Sequence, residues 1–462
     1  MNEPFILPGS FRDSCGFIFL YEGALYRQVN LNYKENYDHF INSGLYEHLV
    51  ASNLIVPHAE VNLDGCNNSN AYKIIKPQPI PFISYPYEWC FSQLKDAALT
   101  TLRIQQEALN FGMVLKDSSA YNIQFLNGKP LLIDTLSFEK YQEGKPWEAY
   151  KQFCQHFLVP LALMSYRDVR LNQLLRIYID GIPLDLASSL LPMSAYLNFS
   201  LFSHIIIHEK FQKYYMNTPD HKRQAPNKMS RFHLLTLIDH MTNTIQRLSW
   251  HPSSHGWINY YENTNYSQDS LHHKKQIVEN FLDQSAPKNL WDLGSNTGMF
   301  SCIANNKGIP TISFDSDPSV VEKNYLNLSK DGKTNILPLL LDLTNPSPAI
   351  GWENQERQSL IERAPTDMVL ALALVHHLAI SNNLPLSKIA DFLKKICKWC
   401  IIEFIPKTDP QTQYLLSTRP EAFPDYTREN FEKSMTKHFT IQDTVKIKNT
   451  DRNLYLFKNN TC

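Results

Sequence analysis

Five short apolar segments alternate with helical stretches between residues 289 and 406, and this alternation constrains the fold more than any other feature of the chain. Strands separated by helix-length connections pair in parallel, because a tight hairpin joins only antiparallel neighbours. The pattern therefore predicts an α/β layer with a mainly parallel sheet in the C-terminal half. The predicted strands read, in order, NLWDLGS, TISFDS, ILPLLLDL, DMVLALAL and CIIEFIP.

The first of these strands runs into a loop with the pattern Asp292-x-Gly294-x-x-x-Gly298, and a predicted helix follows it. Glycines at such a turn let the backbone approach a ligand closely and turn sharply into the helix. The spacing is neither the G-x-G-x-x-G dinucleotide pattern nor the phosphate loop with its Lys-Ser/Thr pair. A diphosphate-binding role is therefore disfavoured.

Acidic residues end the next two strands, at Asp315 and Asp342. An acidic side chain at the end of the second strand can accept hydrogen bonds from both ribose hydroxyls of a nucleoside, and Asp342 is placed to meet an adenine amino group. The fourth predicted strand opens with Asp367 and closes with His376 and His377. Together with Asp292 at the end of the first strand, Asp315 and Asp342 predict a nucleoside-type site. Ordinary strand-end aspartates of an α/β domain would give the same pattern.

Over residues 255–462 this pattern resembles the class I S-adenosylmethionine-dependent methyltransferases. The resemblance implies a Rossmann-like fold with a mainly parallel seven-stranded sheet. It also implies that the glycine loop holds the methionine part of the cofactor and that Asp315 holds its ribose. The cofactor-binding candidates are Asp292, Gly294, Ser295, Asn296, Gly298, Asp315, Ser316, Asp342, Leu343, Ala373 and Tyr266.

Upstream of the glycine loop, residues 257–260, Tyr266 and a helix containing Lys274 look like the lead-in that often covers the cofactor in this family. Tyr266 or Lys274 would then touch the cofactor's carboxylate. A solvated helix face explains the same residues equally well.

Methyl transfer is an in-line displacement on an activated sulfonium, so the protein mainly aligns the nucleophile and excludes water. A hydroxyl acceptor additionally needs a general base. His376 and His377 stand where such a base would act, and one of two adjacent residues should face the cleft while the other faces the core. Glu403 on the fifth strand is the second catalytic candidate.

Two further segments bear on the acceptor. Where methyltransferases of nucleic-acid amines carry Asn-Pro-Pro-aromatic, this chain reads Ala373-Leu374-Val375-His376, which argues against exocyclic base amines. The later stretch with Lys407, Arg419 and Tyr426 would be an acceptor-side segment, or alternatively a surface hairpin and helix.

The N-terminal half carries a second constellation. Asp117 precedes Asn122 by five positions, and a predicted hairpin then leads to Asp134. The spacing resembles the catalytic loop and metal-binding aspartate of protein-kinase-like folds, which would make Asp117 the base and the other two Mg²⁺ ligands of bound ATP. Arg27 stands where a phosphate-pairing Lys is expected, with Glu47 as its helix partner. No glycine-rich phosphate loop precedes it, so a purely structural lobe is the alternative.

These readings divide the chain into a kinase-like α+β domain at 1–250, with a small lobe at about 1–90 and a helical lobe at about 91–250, and a methyltransferase domain at 251–462. Lys plus Arg number 44 against 45 Asp plus Glu, so a broad nucleic-acid face is not expected. Neither a signal peptide nor an apolar run long enough to span a membrane is evident. Eight scattered cysteines favour a cytoplasmic protein, and the lone pair Cys397 and Cys400 favours core packing over a metal site; none is predicted.

Phrases such as FISYPYEW, LKDSSAYNIQF and IEFIPKTDP, found along most of the chain, resemble a bacterial family of nodulation-protein-like methyltransferases. The main hypothesis is a methyltransferase that uses S-adenosylmethionine on a small-molecule or glycan-type acceptor. The alternatives are a non-catalytic binding or scaffold protein on two degenerate enzyme folds, and a bifunctional enzyme whose N-terminal lobe phosphorylates. Protein partners stay undefined by the sequence.

Overall fold

The computed structural model describes residues 4–63, 69–207, 229–252, 266–332, 335–417 and 423–461. The chain divides into two compact units. The first comprises Met1–His251 with Ile350–Arg357, and the second comprises Pro252–Ala349 with Gln358–Cys462. Residues 257–260 and Arg419, which the sequence singles out, lie outside the described residues. No helix among the described residues is long and apolar enough to cross a membrane.

The first unit begins with a five-stranded antiparallel sheet and continues into a mainly helical part. Its strands are β1 (Phe5–Ile6), β2 (Gly16–Tyr21), β3 (Ala24–Asn30), β4 (His58–Val61), β5 (Ala71–Pro77), β6 (Met113–Leu115), β7 (Ile123–Leu126), β8 (Lys129–Leu132) and β9 (Phe138–Lys140). Its α-helices are α1 (Lys34–Asn42), α2 (Leu45–Ala51), α3 (Phe91–Asn110), α4 (Tyr150–Phe153), α5 (Val159–Tyr166), α6 (Leu174–Ile177), α7 (Leu184–Leu190), α8 (Phe199–Leu201) and α9 (Arg231–Arg247).

The sheet order is β1-β2-β3-β5-β4, and β6 pairs with β9 while β7 pairs with β8. Two hairpins are closed by turns that need left-handed backbone, Glu22-Gly23 (φ 50° and 74°) and Asn127-Gly128 (φ 51° and 72°). Such two-residue turns match the twist of the flanking strands. Along the chain this unit runs through a hairpin, helices, an extended segment, the long helix α3 and a second hairpin.

The second unit is built on a seven-stranded sheet with helices between the strands. Its strands are β10 (Leu290–Leu293), β11 (Thr311–Asp315), β12 (Ile336–Leu340), β13 (Thr366–Ala371), β14 (Cys397–Phe404), β15 (Phe439–Lys446) and β16 (Asn453–Asn459). Its α-helices are α10 (Gln268–Ser285), α11 (Met299–Asn306), α12 (Pro318–Asp331), α13 (Leu386–Ile396), α14 (Pro410–Leu416) and α15 (Arg428–Met435).

The strand order is β12-β11-β10-β13-β14-β16-β15. The first five strands run parallel, and β16 lies antiparallel between β14 and β15. This confirms the predicted Rossmann-like methyltransferase fold. The chain order reverses at the central strand β10, with β11 and β12 on one side and β13 and β14 on the other. Ligands of open α/β sheets bind at the carboxyl ends of the strands beside such a reversal.

Apolar residues of α10, α11 and the sheet form the main core of this unit, including Ile277, Phe281, Leu290, Phe300 and Leu370. Strand β10 is buried at all four positions, as expected for a central parallel strand covered on both faces. The packing therefore holds the end of β10, and the glycine loop that follows it, in a fixed position.

Candidate active site

A cleft of about 280 Å³ opens at the carboxyl ends of β10, β11, β12 and β13. Most of the cofactor-binding candidates line it, together with several residues that the sequence pattern did not single out. The lining residues include Tyr266, Lys274, Asp292, Gly294, Ser295, Asn296, Asp315, Ser316, Asp342, Leu343, Thr344, Ala373, Leu374, His377, Ser381 and Asn382.

The glycine loop has the close backbone geometry that its sequence predicts. Gly294 has φ +71°, and a Cβ at this position would lie 3.3 Å from Leu374 Cδ1. Asn296 is also left-handed, with φ 51°. Gly298 (φ +81°) begins α11 and is not a lining residue; a Cβ here would lie 2.6 Å from Asn324 Oδ1. Gly294 thus lets the backbone of the cleft wall lie close to Leu374, whereas Gly298 lets the start of α11 pack closely against Asn324.

Asp315 ends β11 and faces the cleft. Its Oδ2 accepts the backbone N–H of Asn296 at 2.8 Å, and its Oδ1 accepts that of Asp317 at 3.0 Å. Burial raises the pKa of Asp315, and these two N–H donors oppose the increase. Since each carboxylate oxygen can accept a further hydrogen bond, the group can receive both hydroxyls of a ribose.

Asp292, at the end of β10, is buried against the start of α11. Its Oδ2 accepts the hydroxyl of Ser301 at 2.7 Å. Burial raises the pKa of Asp292 to about 6. Ionisation of Asp292 is therefore less favourable in the folded protein than in the unfolded chain.

Asp342 lies at the opposite, exposed side of the cleft. Its Oδ1 accepts both the backbone N–H and the hydroxyl of Thr344, at 2.8 and 2.7 Å. The adjacent Leu343 also lines the cleft. Ser316 lines the cleft next to Asp315.

Glu403 is buried next to the cleft and hydrogen-bonds to three of its lining residues. Its Oε2 accepts Lys274 Nζ at 2.7 Å and the backbone N–H of Ala373 at 2.8 Å, and its Oε1 accepts the hydroxyl of Tyr266. Although burial alone would raise the pKa of this fully buried carboxyl, the cations of Lys274 and Arg452 hold it below its usual value. The contacts favour a positioning role for Glu403 over the predicted role of a base.

Arg452 completes this buried cluster. Its Nε and Nη2 donate to the two carboxylate oxygens of Asp409 at 2.7 and 3.1 Å. Its Nη1 lies 3.7 Å from Glu403 Oε1, and its guanidinium stacks over the Tyr266 ring at 4.4 Å. No sequence pattern marks Arg452, which lies in a polar turn between β15 and β16 and meets Glu403 only through the fold.

The two histidines lie in a different element from the one predicted. Strand β13 ends at Ala371, and His376 and His377 stand in a helical turn that continues as a π-helix over His377–Ser381. The prediction that the strand closes with the histidines is therefore wrong, because Ala373 takes a left-handed conformation (φ 51°) that stops the extended backbone. His377 lines the cleft, and His376 is buried.

Burial lowers the pKa of both imidazoles, for His376 well below its usual value, and the neighbouring His377, Arg452 and Lys274 lower that of His376 further. Both rings are therefore neutral near pH 7, which is the form that accepts a proton.

The predicted acceptor-side segment contributes less to this cleft. Tyr426 is buried, donates to the carbonyl of Ile405 at 2.8 Å and stacks on Phe404. It lines a separate cavity of about 410 Å³ beside α15. The carbonyl of Lys407 accepts a hydrogen bond from the side-chain amide of Gln413 at 3.1 Å. Cys397 and Cys400 are buried free thiols of β14. The described residues contain no group of three or more His, Cys, Asp or Glu side chains arranged for a metal ion.

In the first unit, the fold brings the kinase-like residues together. Asp117 accepts the Ser119 N–H at 2.9 Å. Burial and the nearby Asp134 carboxylate raise its pKa, against side-chain hydrogen bonds from Gln152 and Asn122. The Oδ1 of Asp134 lies 2.6 Å from Nη1 of Arg27.

Arg27 differs from its prediction. Its ion pairs are with Asp134 and with Asp13, whose Oδ2 lies 2.6 Å from Nη2. The expected pair with Glu47 is wrong, because Arg27 on β3 turns its guanidinium toward the two aspartates.

Among curated proteins, nodulation protein NoeA of Rhizobium meliloti (strain 1021) is 32% identical to this chain over 462 residues. The alignment covers 99% of this chain and 96% of that protein. The chain belongs to the NoeA family. Membership extends over both units, since the alignment is nearly complete. No protein-family model matches the chain.

Solved structures match the chain over less than half of its length. WbdD matches 44% of this chain and 42% of its own, at 15% identity and a TM-score of 0.29. The N-methyltransferase NodS from Bradyrhizobium japonicum WM9 matches 42% of this chain and 98% of its own, at 13% identity and a TM-score of 0.32. Magnesium protoporphyrin IX methyltransferase from Synechocystis PCC 6803 matches 44% and 92%, at 15% identity and a TM-score of 0.32. The NoeA-family chain spans less than half of WbdD.

Proposed function

We propose that this NoeA-family protein is an S-adenosylmethionine-dependent methyltransferase that acts on a small-molecule or glycan-type acceptor. One observation carries the proposal: in a sheet of order β12-β11-β10-β13-β14-β16-β15, the glycine loop, Asp315 and Asp342 line one cleft at the strand ends. A nucleoside needs an acidic partner for its ribose, and an exposed acceptor for its amine, at the same edge.

The donor set fits this cofactor. Gly294 leaves room for the methionine part, because any side chain there would meet Leu374. Asp315 receives the ribose hydroxyls, and Lys274 and Tyr266, which Glu403 holds in place, line the same cleft. Once bound, the cofactor supplies a methyl group on an activated sulfonium.

The protein's own contribution is to hold the acceptor in line and to take up a proton where the acceptor is a hydroxyl. His377 is the candidate base because it lines the cleft and is neutral at pH 7. Glu403 acts through the groups it holds, since its two oxygens are engaged by Lys274, Ala373 and Tyr266.

The test is calorimetry with S-adenosylhomocysteine on wild type and Asp315→Ala. Losing a charged acceptor of two hydrogen bonds weakens binding by about 1.5–3 kcal/mol, or roughly tenfold to a hundredfold. Asp317→Ala is the matched control, since this neighbour caps α12 and does not line the cleft. An unchanged affinity in folded Asp315→Ala refutes the ribose assignment, and failure of wild type to bind favours the scaffold alternative.

A further inference from the structure

A second cavity of the second unit, of about 410 Å³, lies beside the cleft and has no part in the function proposed above. It is larger than the cleft itself, which measures about 280 Å³. Its wall comes from the loop that leads into α13, from the residues just before α15 and from one face of α15. Concave surfaces that combine apolar side chains with a few polar groups are typical of ligand sites.

The two cavities share a narrow ridge, the π-helical turn His377–Ser381 and the residues that follow it. His377 and Asn382 line the cleft, whereas Ala379 and Asn383 line the second cavity. Consecutive residues of a chain lie about 3.8 Å apart, so at Asn382-Asn383 only the width of the backbone separates the two cavities. Both asparagines are exposed. A ligand therefore crosses this ridge at the surface, and no buried route is needed.

Hydrogen bonds hold the ridge in a fixed position. The backbone N–H and the side-chain amide of Asn382 donate to the His377 carbonyl at 3.2 and 3.1 Å. The N–H of Leu384 donates to the Leu378 carbonyl at 3.0 Å. Between them Asn383 is left-handed, with φ 54°, and single π-helical turns of this kind are frequent at functional sites. A ligand seated in one cavity is thus presented to the other at a constant distance.

Part of the second cavity is apolar. Tyr426 is 3% exposed and donates its hydroxyl to the Ile405 carbonyl, so its ring is what remains to contact a ligand. Phe423 lines the cavity from a left-handed backbone (φ 67°), which is unfavourable for a bulky side chain. Leu384 and Pro385 extend the same surface. These side chains suit the apolar face of a ring.

The rest of the lining carries polar groups of both charges. Asn430, Lys433 and Ser434 lie on one face of α15, at a spacing of three and four residues; Lys437 follows this helix and Asp425 precedes it. The ammonium groups donate hydrogen bonds, the carboxylate accepts them, and the amide and hydroxyl do both. The nearby carboxylate disfavours an anion and the two ammonium groups disfavour a cation. An uncharged molecule with several hydroxyls can use every one of these groups.

We propose that this cavity is a subsite for uncharged sugar units of a glycan-type acceptor, next to the unit that is methylated at the cleft. A sugar ring combines an apolar C–H face with hydroxyls, which matches the aromatic and polar parts of the lining. The proposal rests on the proposed methyltransferase function and selects the glycan class among its acceptors. Binding at the second cavity then helps to hold the reacting unit at the cleft.

The first arm of the test is calorimetry on the full chain with uncharged oligosaccharides of hexoses and N-acetylhexosamines, of increasing length. Ser434→Trp places an indole in the cavity, and Glu429→Trp places one on the exposed side of the same helix as a matched control. We expect an oligosaccharide to bind wild type and Glu429→Trp, and to bind Ser434→Trp about tenfold more weakly, the effect of losing one or two hydrogen bonds. S-adenosylhomocysteine should bind all three equally.

A second pair of variants covers the case in which Ser434→Trp does not fold. Phe423→Ala removes an aromatic wall of the cavity without adding bulk, and its control is Tyr414→Ala, since Tyr414 is 80% exposed and lies outside the lining. Phe423→Ala should weaken oligosaccharide binding, and Tyr414→Ala should not.

Three results overturn the subsite. They are the absence of oligosaccharide binding, equal oligosaccharide affinity in the cavity variants and their controls, and binding of inorganic phosphate or sulfate, but of no sugar, that Ser434→Trp abolishes. Failure of wild type to bind S-adenosylhomocysteine refutes the methyltransferase assignment instead, and the sugar titrations report on the cavity separately.

The second arm follows labelled methyl groups from S-adenosylmethionine into the oligosaccharides that bind. In wild type, kcat/KM should increase about tenfold as units are added to the shortest acceptor, because the added units reach the second cavity. Ser434→Trp should lose this dependence on length, and Glu429→Trp should keep it. An increase of the same size in Ser434→Trp places the added units elsewhere and contradicts the proposal.

Discussion

Replacing Asp292 with Asn should stabilise the protein at neutral pH. Asp292 is 2% exposed at the end of β10, and its one described side-chain hydrogen bond comes from Ser301. Burial raises its pKa to about 6. Asparagine keeps an acceptor oxygen for Ser301 and carries no charge, so it removes the burial of an ionised group.

The size and the sign of the stability change follow from the difference between the pKa values of Asp292 in the folded and unfolded states. A pKa of about 6 compares with ~3.9 for an unperturbed Asp, and a difference of about two corresponds to roughly 3 kcal/mol. Between about pH 4 and pH 6 the folded protein takes up a proton that the unfolded chain does not, so this contribution is fully present below pH ~4 and is lost as the pH rises through 6. The advantage of Asp292→Asn is therefore greatest at pH 7–8 and vanishes near pH 4. In a unit of this size it corresponds to about 6–12 °C in melting temperature.

The assay is thermal unfolding of wild type and variant from pH 4 to pH 8. Asp367→Asn is the control with the opposite sign: although burial alone would raise the pKa of Asp367, Lys398 and the N–H of Lys288 hold it below the usual value. That variant should lose stability at pH 7 and lose less in acid. A stability difference between Asp292→Asn and wild type that stays constant across the range would refute the reasoning.

Three further results are expected. Gly298→Ala should destabilise by about 2–4 kcal/mol in urea titrations, because φ is +81° and the new Cβ would lie 2.6 Å from Asn324; equal midpoints would contradict this. Glu403→Gln should lower stability by about 3–5 kcal/mol by leaving buried Lys274 unpaired, and adding Lys274→Met should recover most of the loss. A double variant no more stable than the single one would exclude that cause. Millimolar ATP with Mg²⁺ should leave the melting temperature unchanged, since Arg27 occupies Asp134; an increase that Asp134→Ala abolishes would instead support nucleotide binding.

The fold of the second unit could be predicted from sequence because its signals are local. Each parallel strand contains a short apolar run, and long connections separate the strands, so the sequence pattern predicts all five from β10 to β14. The glycine loop and the acidic strand ends are likewise adjacent in sequence to the strands that carry them. Their convergence on one cleft then follows from parallel pairing alone.

The buried cluster behind the cleft could not be predicted, because its members meet only in three dimensions. Lys274 is 129 positions from Glu403, and Arg452 is 43 positions from Asp409. Nothing in a single sequence distinguishes Arg452 from a surface charge in a turn. The sequence pattern places the end of β13 too late for a related reason. The apolar run continues past Ala371, and only the left-handed Ala373 stops the strand.

Arg27 stands where the kinase-like resemblance expects a phosphate-pairing lysine, and the two side chains differ in what they can bind. A lysine at this position is a compact charge that is free to meet a phosphate, whereas a guanidinium spans two carboxylates at once. Here it bridges Asp13 and Asp134 at 2.6 Å each, with only 11% of its side chain exposed. Mg²⁺ at Asp134 would have to compete with this cation for the same carboxylate. The same bridge ties β3 to the loop that follows β8, which gives Arg27 a structural reason to be where a phosphate-binding residue is expected.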